Sequence, residues 1–400
     1  MTIHRMMIAT PTHETIAMQP ANSLLTVPNS YIREILKAAS SPDIISLAGG
    51  LPNPITFPLS LFSEAFTEIM SDQTLYQYGA TEGYPPLHDA LRTRYDINPS
   101  HAILITTGSQ QALDILARSY INPGDVVVME APSYLGAMQV FALAQADIQC
   151  IEQNDNGPDL NQLETIFAET SPKFFYAVPD YHNPTGVCWS EPTRQGVASL
   201  CFHYNVTLIE DIPYRELYFN DIQHKLVSDY APISAFVLRS FSKIASPGIR
   251  IGAVSATPDL LAPLIKIKQA ADLHSSIPLQ AAMAWVIEHP QFDSHLDTTR
   301  RLYAQQSEIL ISTLKAQLPY SINNNVSGGM FYWLKIPSGN AMAIAEECLS
   351  NGVAVVPSNV FYPSSYPSAP ALRLNFTNAE PRELIQASEI ITKVIKSALN

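Results

Sequence analysis

From about residue 100 the chain alternates short β-branched runs with longer amphipathic stretches, and this rhythm constrains the fold more than any other feature. AILIT (102–106) is followed by a helical pattern from Ser109, DVVVME by one through Tyr134–Leu143, and DIQCIE by DLNQLETIFAE. KFFYAV (173–178), a helical stretch near 191–204, VTLIED (206–211), SAFVLRS (234–240) and RIGAVSA (250–256) continue the series. Strands separated by helices long enough to cross a sheet predict an α/β fold whose mostly parallel, seven-stranded sheet is flanked by helices.

Beyond about 290 the pattern changes. One long charged helix over 291–317 precedes GGMFYWLKI, a short helix, VAVVP, LRLNFT and a terminal helix, which reads as a smaller α+β domain. Near the start, YIREILKAAS (31–40) has the pattern of a short amphipathic helix and leads into the Gly/Pro-rich SLAGGLPNPITFP. The expected division is an N-terminal arm (1–30), a helical segment (31–48) belonging with the smaller domain, a large domain (49–290) and the small C-terminal domain (291–400).

Charge narrows the partners. With 23 basic against 36 acidic residues the net charge is −13, which argues against nucleic acid or an anionic membrane surface. No apolar stretch approaches the roughly 18 residues of a membrane span, and the first 20 residues lack the long apolar region of a secretory signal. Cys150, Cys188, Cys201 and Cys348 form no CxxC pair, so a reduced cytoplasmic protein without a cysteine metal site is expected.

Five segments carry candidate chemistry. In SFSKIASPGIRIG (240–252), Lys243 follows a strand and sits between Ser242 and apolar Ile244. A loop lysine is ordinarily solvated, but an amine that attacks carbonyls must be uncharged, and apolar flanks with a nearby cation such as Arg250 would lower its pKa. Ser240, Ser242 and Arg250 have the hydroxyls and the forked guanidinium that bind phosphate.

TTGSQQALDIL (106–116) places Gly108, Ser109 and Gln110 where a strand ends and a helix begins. Free N–H groups and the helix dipole favour a phosphate there, although Ser109 also reads as a plain N-cap. VTLIEDIPYREL (206–217) runs an apolar strand directly into Asp211, with Tyr214 three residues on. A carboxylate at the end of a buried strand needs a partner, and a protonated pyridine nitrogen would serve; a helix cap is the competing role.

PDYHNPTGVCW (179–189) is a turn in which Pro184 restrains Asn183. In ALRLNFT (371–377) alternation sets Arg373, Asn375 and Thr377 on one face, and an enzyme would aim Arg373 at a carboxylate.

Taken together and in this order, from about residue 30 to the end, these segments resemble the class I/II aminotransferases of pyridoxal-5′-phosphate fold type I. The resemblance implies Lys243 as Schiff-base lysine and proton shuttle, Asp211 on the pyridine nitrogen, and Tyr214 and Asn183 on the ring oxygen. It implies Gly108, Ser109, Gln110, Ser240, Ser242 and Arg250 around the phosphate, Tyr134 stacked on the ring and Arg373 on the substrate α-carboxylate. Tyr78 in YQYGATEGYPPL matches a tyrosine that reaches the neighbouring subunit's phosphate, which implies a homodimer.

More narrowly, SYIREILK with SLAGGLPNPITFP is similar to the N-terminal region of 2-aminoadipate and kynurenine aminotransferases, where a short helix covers the substrate. There the arginine at the place of Arg33 meets a distal carboxylate and Gly50 lies against the substrate; a surface helix is the alternative for Arg33. The implied activity moves an amino group from an L-amino acid to a 2-oxo acid such as 2-oxoglutarate, by a ping-pong mechanism. Rivals are a β-lyase on the same scaffold and a ligand sensor of a transcription regulator, for which only about 25 residues precede the matched region.

Overall fold

The computed structural model describes residues 19, 21–24, 31, 35, 37, 39, 41–220, 224–318, 326–363 and 365–399. All seven expected strands of the large sheet form within it. In chain order the strands are β1 (Ile45–Ser46), β2 (Ala102–Thr106), β3 (Val126–Ala131), β4 (Asp147–Asn154), β5 (Gly157–Pro158), β6 (Phe174–Ala177), β7 (Thr207–Asp211), β8 (Ala235–Ser240) and β9 (Gly252–Ala256). The second half adds β10 (Phe331–Lys335), β11 (Val353–Ala354), β12 (Val356–Pro357) and β13 (Ala371–Asn375).

The large sheet has the order β2-β9-β8-β7-β6-β3-β4-β5. Its centre is parallel, β4 through β3, β6 and β7 to β8, while β9 runs antiparallel to both β8 and β2. Two-residue β5 makes an eighth strand by folding back on β4, a hairpin too short to leave an alternating pattern. Every residue of β6 and β8 is buried, as expected for strands covered on both faces. One apolar cluster packs against helices Ser109–Tyr120 and Leu135–Leu143, and another packs against Leu160–Thr170 and Glu191–Tyr204.

Four helices went unread in the sequence: Leu59–Ile69, Pro85–Tyr95, Pro258–Asp272 and Ile277–Glu288. Pro85, Pro258 and Pro278 look like breakers but occupy first turns, where no backbone N–H is needed. Helix 277–288 is apolar almost all round because it is buried, so it shows no stripe.

The long helix is found at Gln291–Gln317, followed by a three-stranded antiparallel sheet β10-β13-β12 and the terminal helix Pro381–Leu399. Ile45 and Ser46 of β1 pair in parallel with Val353 and Ala354 of β11, and Asn375 N–H donates to Leu47 O over 2.8 Å. The segment leading to Gly50 is thus stitched to the strands of the C-terminal region. Most of the expected helix 31–40, including Arg33, and nearly all of the 1–30 arm lie outside the described residues.

Candidate active site

The carboxyl ends of the parallel strands open into a cavity of about 550 Å³. Gly50, Ser109, Gln110, Tyr134, Asn183, Asp211, Tyr214, Ser240, Ser242, Lys243, Arg250 and Arg373 all line it. A crevice at this end of an α/β sheet is where such folds bind ligands. Twelve of the fifteen residues singled out in the sequence therefore meet in one place. Gly108 lies directly behind them, Tyr78 is elsewhere on the surface with 79% of its area exposed, and Arg33 is outside the described residues.

Lys243 follows β8 in a turn whose flanks Phe241 and Ile244 are buried. Its Nζ donates to Gly50 O over 2.7 Å. Burial lowers its pKa to about 8, and the positive charges of Arg373 and Arg250 act in the same direction. The amine is thereby free in an appreciable fraction of molecules near neutral pH, as a nucleophile or proton acceptor requires.

Asp211 ends β7 and is buried. Tyr176, on neighbouring β6, donates its hydroxyl to Oδ2 over 2.9 Å, whereas Oδ1 is buried with no hydrogen-bond partner. Burial raises this carboxyl to about 7 against the lowering effect of the Tyr176 bond. An unpartnered buried carboxylate oxygen is costly, and a cationic N–H donor in the cavity would satisfy it. Tyr176 was not recognised in the sequence, because KFFYAV reads simply as a buried strand.

Across the cavity, Arg373 on β13 donates to Asn183 Oδ1 over 2.9 Å and to Ala48 O. Its guanidinium lies 4.5 Å from the Phe331 ring centre and 5.0 Å from that of Phe361, and Nε has no partner. Burial lowers its pKa to about 10, which leaves it cationic at neutral pH. Asn183 Nδ2 in turn donates to the Tyr214 hydroxyl over 3.5 Å.

The turn carrying Asn183 is fixed from behind. Arg194 and Arg215 grip the Asp180 carboxylate at 2.6 and 2.9 Å, and they hold it ionised although burial opposes this. Neither arginine gave a recognisable signal, since the pairing joins residues distant in sequence.

At the other end, Arg250 donates to Ser242 Oγ over 3.5 Å and to Thr107 O over 3.1 Å. Gly108 has φ +77°, and a Cβ there would stand 2.9 Å from Arg250 Nη2, so glycine is required both by the backbone and by the close approach. Tyr134 is held by its hydroxyl, which donates to Gln110 Oε1 over 3.0 Å. Gln110 thus orients Tyr134 while the N-terminus of helix Ser109–Tyr120 faces the cavity.

These features fit pyridoxal phosphate end to end. Asp211 Oδ1 would accept from a ring N–H, Asn183 and Tyr214 would meet a ring oxygen, and Arg250 with Ser109, Ser240 and Ser242 would surround a phosphate. Lys243 stands between.

The Aminotransferase class I and II family model matches residues 51–391. An aromatic-amino-acid aminotransferase 1 of Thermococcus litoralis is 34% identical over 386 residues, covering 92% of each chain. The kynurenine aminotransferase of Pyrococcus horikoshii, solved in complex with PMP, superposes with a TM-score of 0.90 at 33% identity, over 95% of this chain and 97% of that one. The alpha-aminoadipate aminotransferase LysN of Thermus thermophilus, solved with N-(5′-phosphopyridoxyl)-L-leucine, gives 0.88 at 32% identity, over 95% and 97%. With its sheet, its cavity and these relatives in agreement, the chain belongs to the class I and II aminotransferases, the pyridoxal-phosphate enzymes of fold type I.

Proposed function

We propose that this aminotransferase moves the amino group of an L-amino acid to 2-oxoglutarate in two half-reactions of ping-pong order, with Lys243 as the proton-transferring residue. The observation that carries this reading is the shared cavity of Lys243, Asp211 and Arg373, in which burial lowers the lysine pKa to about 8. When bound, pyridoxal phosphate supplies an electron sink for negative charge at the substrate Cα.

Asp211 Oδ1 would accept a hydrogen bond from the protonated ring nitrogen and keep that proton on the ring, Asn183 and Tyr214 would hold the ring oxygen, and Tyr134 would cover the ring face. Gly108, Ser109, Gln110, Ser240, Ser242 and Arg250 hold the phosphate, with Gln110 acting largely through Tyr134. Arg373 takes the α-carboxylate as a bidentate pair, which turns the Cα–H bond toward Lys243 Nζ. Lys243 Nζ would take up the Cα proton of the donor in the first half-reaction and deliver a proton to Cα of the new amino acid in the second. Gly50, through its carbonyl, sets the resting position of Nζ.

Arg33 is proposed to meet the distal carboxylate of acidic donors such as 2-aminoadipate. Two copies assemble with Tyr78 completing the neighbouring cup; the exposure of both Tyr78 and Arg250 supports this. Residues 49–290 act as the cofactor domain and 291–400, joined by 31–48 through β1, as the smaller one. The cytoplasm is the proposed location; the four cysteines are unpaired, and no helix among the described residues is long and apolar enough to cross a membrane.

The test is 2-oxo acid production by wild type and Lys243→Ala, with and without 2-oxoglutarate. Loss in the variant and dependence on the acceptor are expected. Wild-type turnover by Lys243→Ala would overturn the mechanism, and acceptor-independent turnover would indicate a lyase.

A further inference from the structure

Successive residues of a strand point to opposite faces. Ser240 of β8 lines the cavity described above, and Arg239, whose side chain leaves the strand on the other side, lines a second cavity of about 310 Å³ that shares Ser240 and Pro213 with the first. Three arginines line it, and two of them are matched. Arg94 pairs with Glu216 and Asp293 at 2.6 and 2.9 Å, and Arg215 pairs with Asp180 at 2.9 Å.

Arg239 is different. It is only 8% exposed, yet no carboxylate among the described residues comes within ion-pair distance of it. Its contacts are one hydrogen bond, Nη1 to Ser255 Oγ over 3.1 Å, and the Tyr95 ring, whose centre lies 4.9 Å from the guanidinium carbon. Nε is buried with no partner. Burial pushes its pKa below the ordinary arginine value, yet arginine remains charged at any physiological pH. Glu210 and Glu216 act on it only from beyond ion-pair distance, and a buried cation without a direct counter-charge costs several kcal/mol, so such a group calls for an anion.

The rest of the lining selects the anion. Ile212, Leu226, Phe241 and Ile244 provide apolar walls, while Asp96 and Asp229 are solvent-exposed members of the lining. Those two carboxylates repel a polyanion more strongly than a single charge.

We propose that this cavity is a second ligand site, which takes a small aliphatic monocarboxylate with its carboxylate on the Arg239 fork and its tail against Phe241 and Ile244. It is distinct from the α-carboxylate position at Arg373, and it abuts the cofactor cavity through Ser240 and Pro213, which line both.

Thermal melting of the cofactor-loaded protein at fixed pH and ionic strength tests the proposal, with butyrate and sulfate as probes and Arg239→Met and Arg239→Lys as variants. Butyrate is expected to raise the wild-type midpoint saturably by about 1–3 °C. Arg239→Met should lose that increment and Arg239→Lys keep part of it; Arg239→Gln replaces the methionine variant if that does not fold. Butyrate bound at Arg373 shifts all variants equally and cancels in the comparison. Equal butyrate shifts in wild type and Arg239→Met would overturn the site, and an Arg239-dependent sulfate shift as large as that of butyrate would overturn the ligand class. A crystal structure of the assembled protein with a protein carboxylate seated on Arg239 would likewise overturn it.

Discussion

The Tyr176 hydroxyl donates to Asp211 Oδ2 over 2.9 Å and leaves Oδ1 as the only oxygen of that carboxylate without a hydrogen bond. Tyr176 thus both aims the free oxygen and favours the ionised form that a pyridinium partner needs. Replacing it with Phe removes a hydrogen bond to a charged group, worth about 1.5–3 kcal/mol. Tyr176→Phe is expected to weaken cofactor binding roughly 10-fold or more, and the loss should grow as pH falls toward 6, where the unassisted carboxyl takes up a proton. Equilibrium binding of pyridoxal phosphate across pH checks this.

Asp211 and Glu130 are both buried carboxyls raised by burial, to about 7 and about 8. A folded pKa above the unfolded one stabilises fully below the unfolded value, and that contribution disappears as pH rises through the folded value. The cofactor-free protein should therefore lose stability between about pH 4 and pH 8. Loaded protein should lose less, because a cationic ring nitrogen compensates Asp211. Melting curves of both forms over this range measure the difference; parallel pH profiles would contradict the assignment of Asp211.

In the proposed mechanism, covalent uptake of the cofactor needs the unprotonated Lys243 amine. Since its pKa is lowered to about 8, the uptake rate should climb with pH and level off above that value. Stopped-flow absorbance on cofactor-free protein reads it directly. Lys243→Ala should bind the cofactor without a borohydride-reducible bond and lose transamination by at least about 100-fold, the usual worth of a positioned proton-transfer group.

Arg373 contacts Asn183, Ala48 O and two aromatic rings, so its fork is preset before any substrate arrives. Arg373→Lys keeps charge but loses the bidentate geometry. KM should rise and kcat fall together, with kcat/KM lower by about 100-fold. A change in KM alone would show that Arg373 binds substrate without orienting it.

Arg33→Ala should depress turnover of 2-aminoadipate and glutamate more than that of leucine or phenylalanine, measured against a common 2-oxoglutarate acceptor. Equal losses for all four would remove Arg33 from the substrate site.

Gly108 offers a structural check on the phosphate cup. Ala at φ +77° and ψ 167° is strained by about 1–3 kcal/mol, and its methyl displaces Arg250. Gly108→Ala should weaken cofactor affinity more than it lowers the melting point of the cofactor-free protein.

The strands of the large sheet were readable because each is an apolar run and most alternate with helices, and residues such as Asp211 and Lys243 stood out where polar groups interrupt those runs. Gly108 and Asn183 were legible through turn chemistry. Helix 277–288 and its neighbours were not, because prolines in first turns and all-round burial erase the amphipathic stripe. Tyr176, Arg194 and Arg215 escaped for another reason: each acts on a partner 14 to 35 residues away, and no local pattern records such a pairing.

The stitching of β1 to β11 bears on when, during synthesis, the protein becomes able to work. Lys243 meets Gly50 across 193 residues, Arg373 meets Asn183 across 190, and Arg373 meets Ala48 across 325. On the proposed roles, the cofactor cup can settle once β9 has left the ribosome, but the carboxylate clamp cannot close until β13, the last described strand, emerges. On the same roles, a chain truncated before β13 keeps the residues of the cofactor cup but lacks the arginine that would align a substrate on it.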